Sequence, residues 1–158
     1  METEKITMIT LDTIEIGALP QGALEGFKAY AAVADNSQDA LLSSLLTRAM
    51  LRVQEMADRS LLSCTFCLTD DECSGLVRLY QSVKEIVSVQ DGEGRAIPYT
   101  KASRTLSVGH AKSIVIEYTT QVNNGTLTDL LPVVYQYAAA LYDGQDSKAL
   151  AAILMQCR

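Results

Sequence analysis

Apolar residues recur at helical spacing between Asn36 and Leu62, NSQDALLSSLLTRAMLRVQEMADRSLL. Leu42, Leu45, Leu46, Ala49, Val53 and Met56 make one stripe about four turns long, which predicts an amphipathic helix with that face buried. Asn36 or Ser37 is placed to cap it, and Asp39 suits the positive end of a helix. Arg48, Arg52 and Glu55 lie off the stripe, with Arg48 and Arg52 four apart on one exposed strip. After Asp58-Arg59-Ser60 the period of the pattern changes.

Before that helix, residues 6–16 (ITMITLDTIEI) are rich in β-branched types and alternate imperfectly, which predicts an extended arm or an edge strand. Leu19-Pro20-Gln21-Gly22 ends it, and a short helix follows from about Ala23 to Val33, forming a hairpin with the central one. From Cys64 to Val122 the pattern is β: Thr65–Thr69, Leu76–Tyr80, Lys84–Gln90, Arg104–Val108 and, most plainly, Ser113–Gln121. Asp91-Gly92-Glu93-Gly94 predicts a hairpin turn, with a return strand to about Thr100 that Pro98 confines to an edge. Leu130–Tyr142 is a helix with Pro132 in its first turn, and Asp146 or Ser147 caps a last short helix through Met155. The fold class expected is α+β: a helical core (helix hairpin plus C-terminal helices) with an inserted small antiparallel β-sheet or barrel. Its parts are an arm over 1–20, the hairpin over 21–62, the β subdomain over 63–123 and the C-terminal helices over 124–158.

Composition narrows the functional classes. The 158 residues suit one domain, and 48% apolar with 20% charged residues is a globular profile. A formal net charge of −6 argues against gripping nucleic acid, which needs clustered Lys and Arg. No signal-peptide pattern and no apolar run of about 20 residues is present, so a soluble protein made in a cytoplasm, with no membrane association, is expected. Four irregularly spaced cysteines fit reduced thiols.

Candidate chemistry is sparse. Cys64-Thr65-Phe66-Cys67 resembles a CxxC pair with Cys73 following, but positions three apart on a strand face opposite ways. His110, the single histidine, does not complete a ligand set. Asp70-Asp71-Glu72 lacks the ligand spacing of a calcium loop. No nucleophile motif frames a serine, and no helix follows the Asp91–Gly94 turn to make a phosphate loop. No catalytic residue, cofactor or metal site is therefore expected. What remains are surfaces. Ile6, Met8, Ile14 and Ile16 lie on an arm without an evident strand partner, which a neighbouring sheet edge would supply. The helix bearing Val134, Tyr137 and Leu141 is apolar nearly all round, so it needs cover from its own domain or from a neighbour. Arg95, Lys101, Arg104 and Lys112 fall in a stretch without Asp or Glu, which is either a solvated face or a dock for an acidic partner.

Several phrases, in order, carry a family resemblance. They are the short helix at Leu24–Val33, then Asp39-Ala40-Leu41-Leu42-Ser43-Ser44-Leu45-Leu46, then Asp58-Arg59-Ser60-Leu61. Val83, Ile86, Ser88, Val89, Asp91 and Gly94 follow, then an apolar helix ending at Tyr142 and a tail from Ala149 to Arg158. Over residues 22–158 the chain resembles the head–tail connector (head-completion adaptor) proteins of tailed bacteriophages and prophages. It departs from them at Asp143-Gly144-Gln145, where a Tyr-x-x-Arg-like phrase is usual, and in the arm.

The resemblance implies a non-catalytic, homo-oligomeric ring between the portal protein and a neck or tail-completion protein. DNA would pass through the ring without sequence-specific binding. It also implies residence in the virion neck, after assembly from the host cytoplasm. The rival classes are an oligomeric assembly or scaffolding protein of the host, and a metal- or thiol-dependent enzyme subdomain using Cys64, Cys67 and Cys73.

Overall fold

The computed structural model describes residues 9–109 and 112–157, and the chain falls into two compact units. The β unit comprises Met1–Ile16 with Cys64–Gln121, and the helical unit Gly17–Ser63 with Val122–Arg158. No helix among the described residues is long and apolar enough to cross a membrane.

The β unit holds β1 (Ile9–Ile16), β2 (Cys64–Asp70), β3 (Leu76–Arg78), β4 (Val83–Asp91), β5 (Thr100–Ala102), β6 (Thr105–Ser107) and β7 (Ile114–Thr120). They form two antiparallel sheets, ordered β1-β2-β7-β4 and β3-β6-β5, and among the described residues neither closes into a barrel. The inner strands β2 and β7 alternate buried and half-buried positions, as strands with one core face must. Phe66 packs on Tyr118 with ring centroids 5.7 Å apart. The Tyr118 hydroxyl accepts from the Tyr80 amide (3.2 Å) and donates to the Tyr80 carbonyl (3.3 Å), satisfying a phenol inside the core.

Of the two readings of the N-terminal stretch, the edge strand is the one that forms over Ile9–Ile16, and the expectation that it needs a neighbouring subunit's sheet is corrected: β1 pairs along its length with β2, from Ile9 opposite Asp70 to Ile16 opposite Cys64, with a bulge between Thr13 and Glu15. The partner lies 48 to 61 positions along the chain, where local pattern cannot find it. The return strand after the Asp91–Gly94 turn shrinks to a single bridge between Gln90 and Ala96, made by the bonds from Asp91 N to Arg95 O (2.8 Å) and from Ile97 N to Val89 O (3.0 Å). A separate short hairpin, β5–β6, stands beyond it, with Ser103 in the left-handed region at its turn.

The helical unit holds α1 (Ala23–Tyr30), α2 (Asp39–Ala57), α3 (Asn124–Tyr142), α4 (Ser147–Leu154) and a closing 3-10 turn, Met155–Cys157. On α2 the buried face is Leu42, Leu45, Leu46, Ala49, Met50, Val53 and Gln54, the expected stripe with Met56 displaced to half-burial. Neither Asn36 nor Ser37 caps α2. Its N-cap is Gln38, which makes no side-chain cap. The Asn36 side chain instead accepts from Lys28 Nζ (2.7 Å), and Ser37 turns onto Asp35 Oδ1. Lys28 also pairs with Asp39 at 2.8 Å, so one lysine from α1 holds the start of α2.

Gln54 is the polar exception on the buried face. Its Oε1 accepts from the amides of both Leu61 and Leu62, each at 3.1 Å, where the chain has left the helix through Asp58 in the left-handed conformation. Tyr135 on α3 stacks on Phe27 (5.9 Å) and donates to the Ala23 carbonyl (3.2 Å), which fixes α1. A Cβ on Gly26 would sit 2.4 Å from that hydroxyl, so α1 approaches α3 closely only because this position is glycine.

α3 starts six residues earlier than its apolar run suggests, because Asn123 caps it by accepting from Thr126 N (3.1 Å). Pro132 consequently sits in the helix interior, where the Thr128 carbonyl has no helical N–H to receive.

These contacts rank the expected costs of substitution. Leu46→Ala should lose about 2–5 kcal/mol in urea unfolding, since Leu46 is fully buried. Gln54→Ala leaves two buried amides without their acceptor and should lose about 2–4 kcal/mol. Arg52→Ala, at an exposed position, should lose under about 1 kcal/mol. If the arginine proves the costliest of the three, the buried face of α2 is misassigned.

Candidate subunit interface

Ile6, Met8 and His110 lie outside the described residues. Ile14 and Ile16 are 56% and 44% exposed on β1, together with Ile9 at 49%, and only Leu11 on that strand is even half-buried. β1 is thus an eight-residue sheet edge open on both faces, bearing the exposed acids Asp12 and Glu15. Among the described residues neither acid makes an ion pair.

The basic stretch is not gathered into one patch. Arg95 folds back on its own turn, pairing with Asp91 (3.3 Å) and with Glu93. Asp91 Oδ1 accepts from the amides of Arg95 and Glu93 (2.9 Å each). Those amides, the Arg95 one foremost, together with the Arg95 charge, hold its carboxyl below the ordinary value. Arg95 and Lys112 share an open concavity of about 440 Å³ with Asp91 and Glu93, so its four charged groups balance. Lys101 stands exposed on β5, and Arg104 is half-buried beside β6; neither lines that concavity.

Val134 and Tyr137, expected as interface residues, are 0% and 6% exposed within the chain itself. They are core: α3 spends its apolar surface against α2 and α4 rather than on a neighbour. Leu141 is half-buried and lines a groove of about 260 Å³ with Arg48, Leu51, Arg52 and Tyr137. The Tyr137 hydroxyl raises the pKa of Arg52 above its ordinary value, against some loss from burial, and Glu55 adds to the rise. Arg52 Nη1 meets Glu55 Oε2 at 2.9 Å. Arg48, one turn away and exposed, makes no ion pair with a described residue. Sequence reasoning had this pair of arginines as a solvated strip. The signal for a site was their four-residue spacing beside Leu51, and what it lacked was α3.

None of the four cysteines forms a disulfide. Cys64 is buried on the core side of β2 and Cys67 half-buried on the other, while Cys73 Sγ accepts from the Gly75 amide at 3.4 Å. Among the described residues no three His, Cys, Asp or Glu side chains gather to hold a metal ion.

Two outcomes follow from this chemistry. Cys64→Ala with Cys67→Ser and Cys73→Ser should give a cooperatively folded protein whose stability falls by no more than about 2 kcal/mol. Bound zinc in the parent, lost with unfolding in the variant, would contradict that. Because Asp91 has a lowered folded pKa, its turn is fully favoured above the ordinary value of 3.8 and loosens as pH falls through the lower one. In an NMR titration the Glu93 and Arg95 amides should shift together in acid, and Asp91→Asn should abolish that transition.

No known family pattern matches this chain, and no curated protein matches it. Solved structures do. A chain in the neck of an empty gene transfer agent particle, computed with C6 symmetry, superposes with a TM-score of 0.65 at 16% identity, over 94% of this chain and 95% of the other. A chain in the virion of the native gene transfer agent particle superposes with a TM-score of 0.66 at 18% identity, over the same shares. From end to end, this chain has the fold of a component of gene transfer agent particles, one of them resolved in the particle's neck.

Proposed function

We propose that this chain is a non-catalytic structural subunit of the neck of a phage, prophage or related particle. In this role it forms a homo-oligomeric ring that completes the head after DNA packaging, joins the portal protein to the neck or tail-completion protein, and extends the DNA channel. The observation that carries the proposal is the fold likeness, in which 94% of this chain matches 95% of a neck chain. The C6 symmetry of that neck supports a ring. The phrases from Asp39 to Leu46 and from Asp58 to Leu61, which resemble head–tail connector proteins, fall on α2 and its exit.

A net charge of −6 suits the task physically. A negative wall repels the phosphate backbone, so DNA slides past without adhering. Before assembly the subunit would reside in the host cytoplasm, and afterwards in the virion neck.

Disruption of the gene in a particle-producing host tests this. Filled heads without tails should accumulate, and expression in trans should restore tailed particles with the protein imaged at the neck. Normal tailed particles in its absence would overturn the proposal. The purified protein should also leave duplex DNA unretarded at physiological salt.

A further inference from the structure

We infer that β1 of one copy docks on the α2–α3 groove of the next, with Asp12 and Glu15, which the register puts on one face opposite Cys67 and Thr65, facing Arg48 and Arg52, and with Ile14 at the bulge covering Leu51 and Leu141. The inference rests on the ring reading above and names the contact that would build the ring.

The first surface is in want of a partner. A long, exposed, isoleucine-bearing edge strand is a pairing liability that proteins normally shorten, cover or charge. β1 is eight residues long with three isoleucines 44–56% exposed, and its acids make no ion pair among the described residues. Pairing β1 with β1 of a second copy would set an acidic strand against itself, which like charges oppose. The partner surface is therefore basic and partly apolar.

Among the described residues, the basic stretch and the α2–α3 groove compete for that role. The concavity at Arg95 and Lys112 already contains Asp91 and Glu93, so it offers no net positive charge. β5 is Thr100-Lys101-Ala102, with one charge and no side chain large enough to bury an isoleucine against. The α2–α3 groove has two arginines, two leucines and about 260 Å³, room for one or two aliphatic side chains. Arg52 is held in place by Tyr137 and Glu55, so ordering it on binding costs little, and Arg48 has its charge to spare. The two surfaces differ from each other, as a head-to-tail contact that closes a ring requires.

Charge exchange tests the pairing. Sedimentation and light scattering would follow self-association of the wild type, of Asp12→Lys with Glu15→Lys, and of Arg48→Glu with Arg52→Glu, with circular dichroism confirming each fold. Each double variant alone should associate about tenfold or more weakly than wild type. An equimolar mixture of the two should recover association, because each acidic surface then meets a basic one. Arg48→Glu alone, at an exposed side chain without an ion pair, should weaken association without any change in unfolding. If the groove variants associate like wild type, or if the mixture fails to recover, the contact is wrong while the ring reading stands. A wild-type chain that is monomeric up to its solubility limit also overturns this contact, leaving the neck assignment to the gene-disruption experiment.

Discussion

A single buried amide carries the junction on which the helical unit depends. α2 must end while its neighbours remain buried, and the amides that follow have no helical acceptor to use. Gln54 reaches past the C-terminus and takes two of them, Leu61 and Leu62, whose side chains are fully buried. An exposed loop would leave those amides to water; here water is shut out, so the side chain has to do it. The next residue, Ser63, takes the Gly17 amide on its carbonyl at 2.7 Å, and a Cβ on Gly17 would lie 2.4 Å from that oxygen. Two passages of the chain therefore run side by side with no room for a larger residue.

Much of this is legible in sequence where periodicity is clean. Five of the six stripe positions on α2 are buried, and β2 and β7 alternate as their β-branched and aromatic residues indicate. What failed did so because the deciding partner is remote or because a polar residue has a buried task. Gln54 breaks an apolar stripe and so drops out of any hydrophobic pattern. Asn36 looks like a cap until Lys28 takes its oxygen. Asn123-Asn124-Gly125 reads as the end of a β region, and it is also the start of α3, because Asn123 supplies the cap that the polar first turns need. Pro132 then looks like an N-terminal residue when it is an interior one.

The surfaces were less legible than the core, for a related reason. A helix that is apolar all round says that it must be covered, not by what, and α3 is covered by α2 and α4 within its own unit. Val134 is thus core, and Tyr137 is nearly so, reaching the surface only where it lines the groove. A run of basic residues in sequence likewise says nothing of the acids that turn geometry brings beside them. Asp91 and Glu93 neutralise Arg95 through a turn only five residues long. Conversely, Arg48 and Arg52 gain a neighbour in Tyr137 from a helix more than eighty positions away.

Fold likeness at 16–18% identity is physically intelligible on these terms. A core of this kind needs apolar residues of suitable volume at set periods, and many sequences satisfy that. Narrower demands fall on a few positions: an acceptor for the Leu61 and Leu62 amides, a phenol at Tyr118 to bond Tyr80 at both its amide and carbonyl, and glycine where Gly17 and Gly26 meet neighbours. Nothing in such constraints fixes the exposed face of β1 or the arginines over the groove. Surfaces of that sort are free to change with the partner they must fit, and a specific ring contact is set by how acidic and basic faces are distributed rather than by the fold that displays them.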